Sequence, residues 1–243
     1  MLMLAIDTTG QFAFAAVDRD GEITEKINNA EFSHLQEITP MIKSLMDELG
    51  IKGSDFDAVA VSRGPGSFTG VRIGVVTAKA LAQVWDKPVI TVPTLESFAF
   101  GDYDWLDEKE NVLICPLFDA RRSQVYSGVY EPKNRQALVE DSACPIDELL
   151  ENLKAVFPGH SRVIFFGDGV RVYEEKLASC GLAYMLAPEK DRLQKASYTA
   201  RLAEVMLAAG EVCDCFTAEP EYLRAAEAER KLKEKNENVR NNG

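Results

Sequence analysis

The chain has 243 residues, 46% hydrophobic and 27% charged, and its 39 acids against 27 basic residues leave a net charge of −12. That length supports a well-buried core and lies where one core usually divides into two, while the charge argues against unaided nucleic-acid binding, which needs a basic face to neutralise phosphates. Five scattered cysteines argue against a disulfide framework and fit a reducing compartment.

The N-terminus, Met1-Leu2-Met3-Leu4-Ala5-Ile6-Asp7, reaches an acid without a basic leader, so no signal peptide is expected. No apolar run nears the ~20 residues that span a bilayer. Residues 2–6 read as a buried strand, Asp7-Thr8-Thr9-Gly10 as a turn and 11–17 as a second strand. Asp18-Arg19-Asp20-Gly21 then reads as a hairpin turn into a third strand over 22–27. From Ser33, a candidate N-cap, Leu35, Ile38, Ile42, Leu45, Met46 and Leu49 recur every three or four residues up to Gly50, which predicts an amphipathic helix. Pro40 marks either a kink or the start of its regular part.

The most informative stretch follows: Ser62-Arg63-Gly64-Pro65-Gly66-Ser67-Phe68-Thr69-Gly70-Val71-Arg72-Ile73-Gly74. A Val-rich strand over 57–62 precedes it and a helix over 71–85 continues it. Strand, glycine turn and helix gather backbone N–H groups and a helix N-terminus at one spot, which favours anions such as phosphate. The alternative is that the glycines only allow positive φ in a tight turn. Small residues then fall at every fourth position, Gly70, Gly74, Ala78 and Ala82, a flat stripe that admits another helix closely, from the same domain or from another subunit. A strand over 88–92 closes the first unit, and the polar run 102–111 separates an N-terminal lobe, 1–101, from a C-terminal one, 102–226. The charged segment 227–243 reads as a solvated, disordered tail.

The second half opens like the first. Aligning Asp7 with Asp119 sets Leu4-Ala5-Ile6-Asp7 beside Pro116-Leu117-Phe118-Asp119, and Phe12-Ala13-Phe14-Ala15-Ala16-Val17 beside Gln124-Val125-Tyr126-Ser127-Gly128-Val129. Strand, Asp turn, strand in each predicts duplicated α/β halves facing each other across a cleft. Val163-Ile164-Phe165-Phe166 runs into Gly167-Asp168-Gly169, a weak candidate for an adenosine contact, and 197–209 reads as an apolar helix whose packing on the first lobe is an open possibility. Cys213-Asp214-Cys215 lacks the spacing of a zinc half-site. Asp7, Thr8, Thr9, Gly64, Gly66, Ser67 and Asp119 form a candidate nucleotide or phosphate set; an Asp after a strand is equally an Asx-turn former, which is the preferred reading. Arg121 and Arg122 suit an anion or a solvated surface. No Walker sequence, activated nucleophile or His–carboxylate arrangement is present.

Four motifs in order, Leu4-Ala5-Ile6-Asp7-Thr8-Thr9, Arg63 through Gly74, Asp119-Ala120-Arg121-Arg122 with Val125-Tyr126, and Pro220-Glu221-Tyr222-Leu223-Arg224, resemble the TsaB (YeaZ) family over nearly the whole chain. The resemblance implies an α/β fold of the actin, Hsp70 and sugar-kinase type (ASKHA), two lobes of mixed sheets flanked by helices. It also implies a cytoplasmic, non-catalytic subunit required to make N6-threonylcarbamoyladenosine beside the tRNA anticodon. That subunit scaffolds and activates a TsaD-like catalytic sister together with a TsaE-like ATPase, meets tRNA only through the complex, and depends on a separate enzyme for threonylcarbamoyl-adenylate. The catalytic sister follows its glycine loop, helix and strand with two metal-holding histidines four residues apart. Here Val92-Pro93-Thr94-Leu95-Glu96-Ser97-Phe98 stands in that place, with Thr94 and Phe98 at the histidine positions. Phe has no lone pair and a Thr hydroxyl is a poor transition-metal ligand. His34 and His160, the 2 histidines of the chain, fall elsewhere and read as solvated or capping residues.

No metal or cofactor is therefore expected, with ATP or ADP admitted only at a composite interface. The expected partner face joins Leu35, Ile38, Ile42 and Leu45 to Gly70, Arg72, Gly74, Ala78 and Ala82, and serves a homodimer when the partner is absent. On this reading Gly74→Leu or Ala78→Arg breaks association and spares the fold. The rival reading is a metal-independent, nucleotide-binding enzyme of the same superfamily, a phosphotransferase or a peptidase.

Overall fold

Strand β1 (Leu2–Asp7) is apolar on both faces and buried from Met3 onward, as a central strand must be. The computed structural model to which it belongs describes residues 1–28, 31, 33–107 and 109–224; the tail expected at 227–243 lies outside them. β1 pairs antiparallel with β2 (Phe14–Arg19), which turns into β3 (Glu22–Ile27). The turn is tighter than the sequence suggests. Arg19 still pairs with Glu22, leaving Asp20 and Gly21 at φ of 53° and 88°, the left-handed pair that a two-residue hairpin requires.

Helix α1 (His34–Leu49) runs on through Pro40 and stops where Gly50 turns left-handed at φ 65°. β4 (Ala58–Gly64) joins β1 in parallel, α2 (Phe68–Trp85) crosses back, and β5 (Val89–Pro93) joins β4 in parallel. The first sheet therefore has the order β3-β2-β1-β4-β5. The short α3 (Thr94–Ser97) leads out of it.

The second half repeats the plan. β6 (Val112–Asp119), β7 (Gln124–Tyr130) and β8 (Ala137–Pro145) form a meander, and α4 (Ile146–Val156) crosses to β9 (Arg162–Phe166). α5 (Gly169–Val172) and α6 (Glu174–Ala178) then lead to β10 (Tyr184–Leu186). From its meander edge this sheet reads β8-β7-β6-β9-β10, the same topology strand for strand. The alignment drawn from sequence is one residue out in the second strand. Asp7 pairs with Phe14 but Asp119 pairs with Val125, so Val125 and not Tyr126 answers to Phe14. A one-residue slip exchanges the two faces of a strand, which is why only the register reveals it.

Among the described residues the last helices are α7 (Glu189–Arg192) and α8 (Ala196–Ala208), and α8 leaves its own half to pack across the first sheet. Alternation along the strands separates that sheet's two faces. Leu4, Ile6, Val59 and Val61 meet the apolar sides of α1 and α2, while Met3, Ala5, Ala58 and Ala60 meet α8. The α8 side merges with the face of the second sheet through aromatic side chains. Phe98, from a 3-10 turn after α3, lies with its ring centroid 5.8 Å from Phe118, 5.3 Å from Phe166 and 5.5 Å from Tyr198. One core thus joins the two lobes. Among the described residues no helix is long and apolar enough to cross a membrane.

Two carboxyls packed in this framework fix a pH dependence. Tyr130 donates to Asp141, whose carboxyl burial pushes up to about 6. Burial, and then the neighbouring Asp18 carboxylate, push Glu204 of α8 up to about 7. Both hold a proton more tightly in the folded chain than in the unfolded one, where carboxyls titrate near 4. Their contribution is complete below that value and is lost as pH rises through about 6 and about 7. The melting temperature is expected to fall by a few degrees between pH 5 and pH 8, and Asp141→Asn with Glu204→Gln to flatten that slope; an unchanged slope in calorimetric scans refutes the assignment.

Candidate functional site

The Asp at the end of the first strand of each lobe caps its own turn. Asp7 Oδ1 accepts from Thr9 N at 2.8 Å, and Asp119 Oδ1 accepts from Arg121 N at 2.9 Å, the same Asx turn in both halves. Asp7 is fully buried, accepts further from Thr9 Oγ1 at 2.7 Å and Ser62 Oγ at 2.6 Å, and is held by burial above the ordinary carboxylate range. Both of its oxygens are engaged inside the protein.

The glycine loop is packed with the protein's own atoms. A Cβ on Gly66 would stand 2.6 Å from Thr9 O, one on Gly70 2.0 Å from Thr8 O, and one on Gly74 2.4 Å from Thr8 Oγ1. Gly64, at φ 113°, faces the Glu221 carbonyl. Three donors of the supposed phosphate cradle are likewise engaged: Gly64 N donates to Thr94 Oγ1 at 3.1 Å, Ser67 N to Thr9 O at 2.8 Å, and Gly70 N to Ser67 Oγ at 3.3 Å, Ser67 being the N-cap of α2. Close approach of backbone to backbone is what these glycines serve.

Between the lobes lies a cleft of about 260 Å³ lined by Thr9, Gly66, Ser67, Asp119, Arg121 and Asp168 among others. It continues past Gln11, Asp168 and Leu193 into a second recess of about 490 Å³ that carries Arg171, Lys190 and Arg192. Of the candidate nucleotide set, Thr9, Gly66, Ser67 and Asp119 reach this cleft, whereas Asp7, Thr8 and Gly64 are buried behind it and are removed from the set. Asp168 is the residue that sequence flagged only weakly. Its Oδ1 accepts from Asp119 N at 3.2 Å, and burial, with Asp119 nearby, raises its carboxyl. Gly167 and Gly169 both lie against Leu117 O, and Gly167 also lines the second recess.

The expected partner face needs a larger correction. Ile38, Ile42 and Leu45 of α1, and Gly70, Gly74, Ala78 and Ala82 of α2, are buried against the chain's own sheet. The small stripe is the side on which α2 meets β1 and β4; intradomain packing accounts for it. Leu35, 70% exposed, and the exposed Arg72 remain on the surface. With Arg72 the outward side of α2 forms a second stripe at every fourth position: Phe68, 39% exposed, Val76, 65%, Ala80, and Val84, 80%. The Arg72 guanidinium lies 3.9 Å over the Phe68 ring, and its Nε donates to Tyr222 at 2.8 Å.

At the two positions that the resemblance sets against metal-holding histidines, Thr94 is fully buried on Gly64 N and Phe98 sits in the interlobe aromatic cluster. His34 is neither solvated nor a cap: it is buried, bonded through Nε2 to Gly10 O at 3.0 Å. His160 lies between Phe157 O and Glu131. Among the described residues no group of three or more His, Cys, Asp or Glu side chains is placed to hold a metal ion.

The family model described as TsaD, tRNA N6-adenosine threonylcarbamoyltransferase, matches residues 27–234. The tRNA threonylcarbamoyladenosine biosynthesis protein TsaB of Bacillus subtilis (strain 168) is 33% identical over 239 residues, 95% of this chain and 97% of the relative. By contrast, the tRNA N6-adenosine threonylcarbamoyltransferase of Novosphingobium aromaticivorans is 45% identical over 69 residues only, 28% of this chain and 20% of the relative. The solved structure of YeaZ from Pseudomonas aeruginosa superposes with a TM-score of 0.74 at 27% identity, over 91% of this chain and 99% of that one. The duplicated lobes have the actin-like ASKHA architecture. By its 33% identity to a TsaB protein over nearly the full length of both and its superposition on YeaZ, the chain belongs to the TsaB (YeaZ) family.

Proposed function

We propose that this protein is a non-catalytic subunit required for N6-threonylcarbamoyladenosine modification of tRNA in the cytoplasm, scaffolding and activating a TsaD-like catalytic subunit together with a TsaE-like ATPase. The observation that carries the reading is a contrast. The chain shares its family model with a threonylcarbamoyltransferase, yet it has Thr94 and Phe98 at the metal-holding positions and uses both side chains structurally. Its net charge of −12 supports contact with tRNA only through the complex.

The outward side of α2 suits the catalytic subunit, or a second copy of this chain when that subunit is absent. Exposed aliphatic residues flank an arginine held on an aromatic ring, and arginine and aromatic side chains are the types in which interface energy concentrates. Reconstituted modification of tRNA lacking threonylcarbamoyladenosine, with and without this protein, tests the role. A modification rate that does not depend on it ends the proposal.

The enzyme reading draws on the paired carboxyls Asp119 and Asp168 in the cleft. Calorimetry of the isolated chain with ATP and magnesium separates the two readings. The subunit reading expects no binding heat without the partner; tight binding abolished by Asp119→Ala would favour the rival.

A further inference from the structure

The segment Pro220-Glu221-Tyr222-Leu223-Arg224 touches both lobes. Glu221 N donates to Arg63 O at 2.7 Å, Arg63 Nε donates to Glu221 Oε2 at 2.7 Å, and the Glu221 carbonyl fills the space beside Gly64 that only a glycine leaves. The end of β4 is thereby held through backbone and side chain. Tyr222 lies with its ring 4.9 Å from Phe68 and accepts from Arg72 Nε, which attaches the segment to the first turns of α2. Leu223 packs on the interlobe core. Arg224 Nη1 then crosses to the other lobe and donates at 2.6 Å to Ala120 O, the carbonyl between the cleft residues Asp119 and Arg121.

The receiving turn needs such an anchor. Arg121, Arg122 and Ser123 follow one another at φ of 65°, 56° and 58°, three successive non-glycine residues in the left-handed region. L-residues adopt that region singly and not in runs, and the surrounding contacts must hold it in place. A hydrogen bond from a guanidinium is among the stronger contacts available.

We propose that Pro220–Arg224 is a strap that fastens the glycine loop and the start of α2 to the β6–β7 turn from one lobe to the other, beside the cleft. One segment thus sets both the Phe68–Arg72–Tyr222 surface and the lip formed by Asp119 to Arg121. Arg224 is a positioning residue, acting through Ala120. Whatever displaces Tyr222 from α2 loosens the lip, and whatever reshapes the lip shifts Tyr222, since such coupling is reciprocal.

Hydrogen exchange of the full chain tests this without any partner, so its result does not depend on the subunit reading. Arg224→Ala is expected to speed exchange at residues 120–124 about tenfold, the factor of one hydrogen bond to a charged group, and to raise it several-fold in the first turn of α2. Tyr222→Ala is expected to act at the same two places, with β1 and β4 still protected in both variants. The proposal is overturned if either variant changes exchange on one side of the cleft only, or if β1 and β4 lose protection with the rest, which would make the segment a general stabilising element.

Discussion

Gly74→Leu and Ala78→Arg are each expected to unfold the N-terminal lobe, lowering stability by about 3–5 kcal/mol or more, because both positions face inward. A Cβ at Gly74 already meets Thr8 Oγ1 at 2.4 Å, and the rest of a leucine has no space between α2 and the Asp7-Thr8-Thr9 turn. Thr8 cannot retreat, since its hydroxyl donates to Gly70 O at 2.7 Å in the same contact. Ala78 is fully buried, so an arginine there carries an unpaired charge into an apolar layer. Against a typical total of 5–15 kcal/mol, a loss of that size removes most or all of the folded population. Urea unfolding read by circular dichroism measures it. Variants that stay folded within about 1 kcal/mol of the parent, yet no longer bind a partner, would return the small stripe to the surface.

Val76→Glu combined with Val84→Glu is expected to do the opposite: leave stability within about 1 kcal/mol and weaken association with the catalytic subunit by roughly 30-fold or more. Both side chains are mostly exposed, so neither change disturbs the core. Both lie on the Phe68, Arg72, Val76, Ala80, Val84 side of the helix, and a carboxylate placed in an apolar contact must be desolvated without a partner. Titration of the doubly substituted chain against the catalytic subunit reads the effect. Undiminished affinity would move the contact off α2.

The fold was legible because its signals are local and repeated. Asp7 and Asp119 end equivalent strands, Gly50 stops α1, and Asp20-Gly21 closes a hairpin; each depends on a few neighbouring residues. The orientation of α2 was not legible in the same way. Gly70, Gly74, Ala78 and Ala82 recur with the same period as Phe68, Arg72, Val76, Ala80 and Val84, and period alone does not say which stripe meets the sheet. That is decided by Thr8, some sixty residues earlier, whose carbonyl at Gly70 and hydroxyl at Gly74 come so close that only glycine fits. Asp119 and Asp168 illustrate the same limit, since the cleft that joins them exists only once two separate sheets are packed together.

The position of α8 bears on how the chain is born. The first sheet is complete at Pro93, but the helix that covers its second face begins at Ala196, about a hundred residues later. At ribosomal speeds of about 5–20 residues per second, Met3, Ala5, Ala58 and Ala60 wait roughly 5–20 seconds for that cover. During synthesis the nascent N-terminal half therefore presents a naked apolar sheet, and α8 is the helix that ends its exposure to chaperones and to neighbouring chains.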